Sequence, residues 1–460
     1  MNRKDPLAAE PSDNDNMVSD TGRVLVGVTP QSFFEKKRFS IPVMVFAILL
    51  AILVTFMSTF WFVSEIKDAK YKKAYAQLEE KLDKLNNSVL GVEITDESRL
   101  MMYKKLLEFD STFVNYAFVD YDFKNVTDYI LTAYAYATED LYAEYYNEEA
   151  FYDIIASMQG ESQGIGINVA YDPDTQTIVV INVMPDSPAE KAGVMAGDKI
   201  IYIGKGENKV HVPTVGYTAA LLNLQGEKGT LAEFTVIRGE EEVEFSIIRA
   251  EFKNQSVLSR VYSLDKSVGV IRILNFDNLT PTQLVTELNK MQTAGIKKIV
   301  FDLRNNPGGT LTSIVNILDT LLPEGPIIRI VDKTGKLVDK ADSGAGVNYT
   351  DMEFVVLVNG NTASAAELFT CALMDYERAT IVGVKTYGKG SMQTTFRMEN
   401  GGGLKFTTYH YLPPFSEGYD GKGITPDIIE ELDEAFANKS IFLLTDEEDN
   451  QLAAAVKAFN

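Results

Sequence analysis

V-N-G-N-T-A-S-A-A-E-L-F-T-C-A-L-M-D-Y-E-R-A-T-I-V-G-V-K-T-Y-G-K-G-S-M-Q, running from Val358 to Gln393, is the stretch from which the rest of the chain is read. It opens at the end of an apolar run, Phe354 to Val358, with the length and β-branched content of a buried strand. A polar Asn-Gly-Asn-Thr loop follows, and Ala363 to Met374 has helical composition. Ser364 therefore falls at a strand-to-helix turn, beside the unpaired N–H groups and positive dipole end of a helix. An oxyanion forming next to such a serine would meet oriented backbone donors. Ala379 to Val384 reads as a second buried strand, followed by Thr-Tyr-Gly-Lys-Gly. Glycines on both sides of Lys389 let the backbone press against a neighbour, and a lysine so enclosed can lose its proton. Neutral Lys389 could take the proton from Ser364, with Gln393 holding the amine: a serine–lysine dyad with an orienting third group. Taken singly, the serine is an ordinary N-cap and the lysine an ordinary turn residue. Their order between two strands is what raises the pair above that.

Thr362 to Glu367, with Lys389 25 positions after the serine and Gln393 four further on, resembles the carboxyl-terminal processing (tail-specific) serine protease family. Asp302-Leu303-Arg304-Asn305-Asn306-Pro307-Gly308-Gly309 is similar to the family's oxyanion-loop motif, and Gly421 to Asp427 to its motif near the end of the core. The resemblance covers about residues 95 to 455 and implies an α/β peptidase core of ClpP/crotonase-like strand–turn–helix units with an inserted PDZ domain. One such unit spans Lys298 to Leu322, the other Phe354 to Met374, and both point helix N-termini at one crevice, where ligands sit in open α/β sheets. The expected oxyanion donors are the N–H groups of Gly308, with Gly309 as the alternative, and of Ala365. Asn-Asn-Pro-Gly-Gly alone could equally be a plain turn.

Gly164-Ile165-Gly166-Ile167 enters a strand, and Ser187-Pro188-Ala189-Glu190-Lys191-Ala192-Gly193 reads as a short helix with Pro at its start and Gly at its end. With strands at Thr177–Val183, 234–237 and 243–248, this unit resembles a PDZ domain of the bacterial protease type. Its Gly-rich loop can offer N–H groups to a terminal carboxylate, and its strand edge can accept the peptide as an added strand.

The expected organisation is a flexible tail at 1–38, a transmembrane helix at 39–64, and a heptad helix at 65–92. The peptidase's N-terminal helical part follows at 93–160, the PDZ domain at 161–252, the core at 253–435 and a last helix at 436–460. Ile41 to Val63 is uncharged over 23 residues, long enough to cross a bilayer, and Trp61 suits its interface. Lysines flank both ends, so charge does not orient the span. The family resemblance implies a cytoplasmic N-terminus and a catalytic body outside the cell membrane. Tyr71, Tyr75, Leu78, Leu82, Leu85 and Val89 form a short heptad seam, read either as a homodimer contact or as a helix on its own protein body. Near residue 140 the family has Asp-Pro-aromatic-Ser, whereas Asp140-Leu141-Tyr142-Ala143 lacks the Pro and Ser.

A net charge of −22 over 460 residues argues against a nucleic-acid binder, and the single cysteine, Cys371, excludes an internal disulfide. The two histidines lack ligand spacing, so neither metal nor organic cofactor is expected. The expected function is a membrane-anchored serine endopeptidase whose partners are protein or peptide substrates with exposed, apolar C-termini. A catalytically inactive tethered PDZ scaffold and a non-proteolytic acyl-transfer enzyme are the competing readings.

Overall fold

The computed structural model describes residues 97–344, 349–399 and 401–459. The expected tail, membrane span and heptad seam lie outside them. Among the described residues no helix is long and apolar enough to cross a membrane. The chain divides into two units at Asp120 and Tyr121, and the first contributes one described helix, Glu97–Tyr116.

In the second unit, helices Phe123–Ala137 and Glu148–Gln159 flank a short strand, β1 (Glu144–Tyr146). The sequence suggested only helix there; Glu144 and Tyr146 instead pair with a strand about 260 residues downstream. β2 (Glu161–Gly164) then leads into the inserted unit. This comprises β3 (Ile167–Asp172), β4 (Thr177–Val183), β5 (Lys199–Ile203), β6 (Val210–His211), β7 (Leu231–Arg238) and β8 (Glu241–Ile248). They form an antiparallel sheet in the order β3-β4-β5-β7-β8, with β6 on β5 and helix Tyr217–Leu224 packed on it. The return strand β9 (Ala250–Lys253) pairs with β2, so the two linkers of the insertion close on each other. The insertion has its own core around Ile178, Ile200, Phe234 and Val236.

The peptidase-like core is a second sheet: β10 (Val257–Val261), β11 (Val268–Ile273), β12 (Lys298–Asp302), β15 (Glu353–Val358), β16 (Ala379–Gly383) and β19 (Ile428–Ile429). All pairs from β11 onward are parallel. Residue alternation explains how it is covered on both faces. Ile299, Phe301, Phe354, Val356 and Val358 face helices Thr280–Thr293, Leu311–Leu321 and Ala365–Asp375. Val300, Val355, Leu357 and Val382 face Leu452 and Ala455 of helix Asn450–Lys457. That last helix begins later than the sequence suggested. Asp449 caps it, accepting from Leu452 N–H at 3.0 Å. Thr445 opens a separate turn, because Asp446 is drawn to Arg260 and to the Ser263 N–H at 2.7 Å.

A third sheet carries β13 (Gly325–Val331), β14 (Leu337–Ser343), β17 (Ser391–Arg397) and β18 (Gly403–Leu412), together with β1. The loop entering β17 holds Lys389, and the helix Ala365–Asp375, with Ser364 at its N-cap, leaves from the C-terminal end of β15. The two halves of the candidate dyad thus arrive from different sheets.

Candidate active site

Ser364 is half-buried at the N-cap of the helix Ala365–Asp375, with φ 57° and ψ −120°. Positive φ is strained for a non-glycine residue, at about 1–3 kcal/mol, and persists only where surrounding contacts impose it. Those contacts are present. Glu367, fully buried in the first turn of the same helix, accepts the Ser364 N–H at 2.9 Å. Its side chain also accepts from Thr386 Oγ1 at 2.6 Å, Gly388 N–H at 2.7 Å and Lys389 N–H at 2.8 Å. A single carboxylate with all four acceptor sites filled therefore holds the main chains of Ser364 and Lys389 together.

The Gly388-Lys389-Gly390 loop is pinned from its other side by the second glycine motif. Gly421 N–H donates to the Gly388 carbonyl at 2.8 Å, and Ile424 N–H to Thr386 Oγ1 at 2.7 Å. A Cβ on Gly388 would lie 2.7 Å from the Gly423 nitrogen, so glycine is required there for close approach.

Lys389 is half-buried, and its ammonium stands 4.0 Å from the centroid of the Tyr142 ring. Among the described residues no hydrogen bond joins it to Ser364. Ser364 Oγ instead meets the Tyr411 hydroxyl at 3.4 Å, and that hydroxyl donates to the Lys389 carbonyl at 2.7 Å. Burial, the largest cause, pushes the Lys389 amine below its ordinary pKa, and the nearby Lys405 cation adds to this. Glu144, Asp140 and Glu367 oppose the shift more weakly. Lys405 is itself paired with Glu144.

Gln393 lies in β17, where its Nε2 donates to Ser391 Oγ and Thr407 Oγ1, both at 3.1 Å. Thr407 is held in turn by Asp140, which accepts from its N–H at 2.7 Å. Gln393 is thus fixed in a polar network but has no bond to Lys389 in this arrangement.

The Asn305–Gly309 loop packs on the Ser364 turn. Ala363 N–H donates to the Asn306 carbonyl at 3.0 Å, and Asn306 Nδ2 donates to the Ile273 carbonyl at 2.8 Å. A Cβ on Gly308 would fall 2.8 Å from Ser364 Cβ and 2.9 Å from the Ala365 nitrogen, so the loop's contact with the serine depends on glycine. The Gly308 N–H is already given to Asn306 Oδ1 at 2.8 Å. The N–H groups of Gly309 and Ala365 meet no acceptor among the described residues. In this arrangement the open donors are therefore Gly309 and Ala365, not Gly308.

Cys371 is buried, and burial pushes its thiol up to about 12, which fits packing rather than nucleophilic chemistry. Among the described residues no cluster of His, Cys, Asp or Glu could hold a metal ion. In the inserted unit, β3 pairs only with β4, leaving its other edge open. The N–H groups of Ile165 and Gly166 meet no acceptor among the described residues, while Ile167 begins β3 and Gly164 ends β2.

Glu367, Thr386, Tyr411 and Tyr142 were not singled out from sequence. Glu367 sits inside the quoted stretch, but a glutamate in a first helical turn ordinarily reads as dipole compensation.

Residues 267–430 match Peptidase family S41 and residues 153–232 match the PDZ domain. The chain is 33% identical over 294 residues to the carboxyl-terminal-processing protease of a Picosynechococcus species, covering 63% of this chain and 69% of that one. It is 32% identical over 350 residues to a probable CtpA-like serine protease of Staphylococcus aureus, covering 75% and 67%. Among solved structures, the photosystem II D1 C-terminal processing protease aligns over 72% of this chain and 86% of its own. That alignment has 24% identity and a TM-score of 0.43.

Proposed function

On the premise that the chain belongs to peptidase family S41 and is a serine peptidase carrying a PDZ domain, we propose that it cleaves protein substrates captured by their C-terminal tails, using Ser364 and Lys389. The observation that carries this reading is the shared clamp. Glu367 accepts the Ser364 N–H and the Lys389 N–H on one carboxylate oxygen, so two residues far apart in sequence have main chains fixed side by side. With both main chains held, a rotation of the Lys389 side chain off the Tyr142 ring is the motion that brings the amine to Ser364 Oγ.

The chemistry then runs as follows. Neutral Lys389 removes the Ser364 proton as Oγ attacks the scissile carbonyl, and the oxyanion is met by the N–H groups of Gly309 and Ala365. Protonated Lys389 gives its proton to the leaving amine, and water hydrolyses the acyl-enzyme. In this reading Gln393, held by Ser391 and Thr407, receives the amine once it leaves Tyr142. Peptide capture is assigned to the PDZ unit. The open N–H groups of Ile165 and Gly166 bind the terminal carboxylate, and the tail adds to the free edge of β3.

The wider reading is a ClpP/crotonase-like core at 253–435 with the PDZ insertion at 161–252. The body lies outside the cell membrane, tethered through residues 41–63 and paired with a second copy through the 71–89 seam. The uncharged length of the span supports tethering.

The test is incubation of the full chain in detergent with an unfolded protein bearing an apolar C-terminus. Wild type should cleave it, and Ser364→Ala and Lys389→Ala should not, with unchanged circular dichroism. Equal cleavage by wild type and Ser364→Ala would sink the reading. Binding without cleavage by wild type would favour the inactive scaffold.

A further inference from the structure

Arg304 follows β12 and directly precedes the Asn305–Gly309 loop. Its side chain is fully buried, and an unpaired guanidinium in such a place is strongly unfavourable. All five of its N–H groups are used. Nε donates to Asp302 Oδ1 at 3.0 Å and Nη2 to Asp302 Oδ2 at 2.9 Å. Nη1 donates to Asp449 Oδ1 at 2.9 Å and to Gln451 Oε1 at 3.2 Å, and Nη2 to Asp449 Oδ2 at 2.7 Å. Arg272 also binds Asp302. Two guanidiniums and two carboxylates thus form a neutral quartet, buried except for the partly exposed Arg272. Burial alone would raise the Asp302 carboxyl, yet Arg272 and Arg304 hold it well below the usual carboxylate range.

Asp449 is 145 positions from Arg304 and is the N-cap of the helix Asn450–Lys457. That helix lies beyond residues 267–430, which match the peptidase family. Its placement is independently fixed. Leu452 and Ala455 are buried against Val355, Leu357 and Val382, and Gln451 Nε2 donates to the Glu430 carbonyl at 2.7 Å. The cap therefore presents a rigidly held carboxylate to a side chain two residues from Asn306, whose own bonds set Gly308 against Ser364.

We propose that Asp449 is a positioning residue of the active site. Acting through Arg304, it fixes the Asn305–Gly309 loop that supplies the oxyanion donor, so the last helix is part of the catalytic framework. The proposal rests on the reading of Ser364 as nucleophile and of this loop as donor. Without Asp449, Arg304 keeps only Asp302 and Gln451 as acceptors, and the side chain at the start of the loop loses its hold on the last helix's cap.

The test compares Asp449→Ala and Asp449→Asn with Leu452→Ala, which loosens the same helix without touching Arg304. The full chain is assayed well below every unfolding midpoint, with a peptide substrate and with a fluorophosphonate that labels the serine. Asp449→Ala should lower kcat and the labelling rate by about tenfold or more, with KM within about twofold. Asp449→Asn keeps the side chain's shape and one acceptor oxygen, and should recover part of the loss. Leu452→Ala should lower Tm while leaving kcat nearly unchanged. If Asp449→Ala does not fold, Asp449→Asn and Arg304→Lys carry the comparison, and both should show the kcat loss. A kcat loss in the Asp449 variants no larger than in Leu452→Ala at matched loss of Tm would overturn the proposal, even with Ser364→Ala inactive. Activity retained by Ser364→Ala would overturn the underlying site reading instead, and this proposal with it.

Discussion

Exchanging Glu367 for glutamine keeps the shape of the side chain and removes its capacity to accept on both oxygens. Glu367 Oε2 takes the N–H groups of Ser364 and Lys389, and Oε1 takes Thr386 Oγ1 and the Gly388 N–H. A glutamine must place an NH2 group on one side; on the Oε1 side the Thr386 hydroxyl can turn to accept from it, but the Gly388 N–H cannot. With no room for solvent around a side chain that is 0% exposed, at least one backbone N–H loses its acceptor. An orphaned donor costs about 1–3 kcal/mol, so the substitution should destabilise by at least about that much. Domains are commonly stable by about 5–15 kcal/mol, so the variant should still fold at moderate temperature. Its defect falls where the serine and lysine main chains are held together, and a displacement of about 1 Å there can cost roughly a hundredfold in rate. The assay pairs kcat on a peptide substrate with a urea unfolding curve. Glu367→Gln should show both losses. A Glu367→Gln enzyme with wild-type kcat and an unmoved urea midpoint would refute the clamp.

Two further outcomes follow from the same geometry. Lys405→Met removes the cation that, after burial, most depresses the Lys389 amine, and it also frees the Glu144 carboxylate; both changes raise the amine's pKa. Because the base must be neutral, the acid limb of the kcat/KM profile should move to higher pH, and an unmoved limb would remove Lys389 as the titrating group. Gly166→Ala places a Cβ 2.3 Å from Ser187 Cβ at a residue with φ 83°. It should weaken binding of an apolar C-terminal peptide, measured by calorimetry, while leaving hydrolysis of a short ester unchanged; unaltered peptide affinity would remove this loop as the carboxylate site.

The parallel sheet was legible because its strands carry continuous apolar runs and its helices follow within a few residues. The runs 354–358, 379–384 and 298–303 read as strands from β-branched content and fall on Glu353–Val358, Ala379–Gly383 and Lys298–Asp302. β13, β14 and β1 were missed, since their stability comes from pairing, β1 and β13 with β18 and β14 with β13, rather than from local pattern. At the site, the sequence put Ser364 at a strand-to-helix turn and Lys389 between glycines, but the position of the lysine's amine against Tyr142 depends on rotamer and on a distant segment. Gly308 was the expected donor, with Gly309 as the alternative; that Asn306 takes the Gly308 N–H is a property of the folded loop. The Arg304–Asp449 pair was out of reach for the same reason as β1: its partners are separated by 145 positions.

The dyad itself is tested most directly by following, across pH, the rate at which a fluorophosphonate modifies the protein, with the modified residue located by peptide mass spectrometry. The adduct should form on Ser364, at a rate that rises with pH through a single titration below the ordinary lysine range, and Lys389→Ala should abolish both the adduct and its pH dependence. An adduct on Ser364 that forms as fast in Lys389→Ala as in the wild type would contradict the assignment of Lys389 as the base.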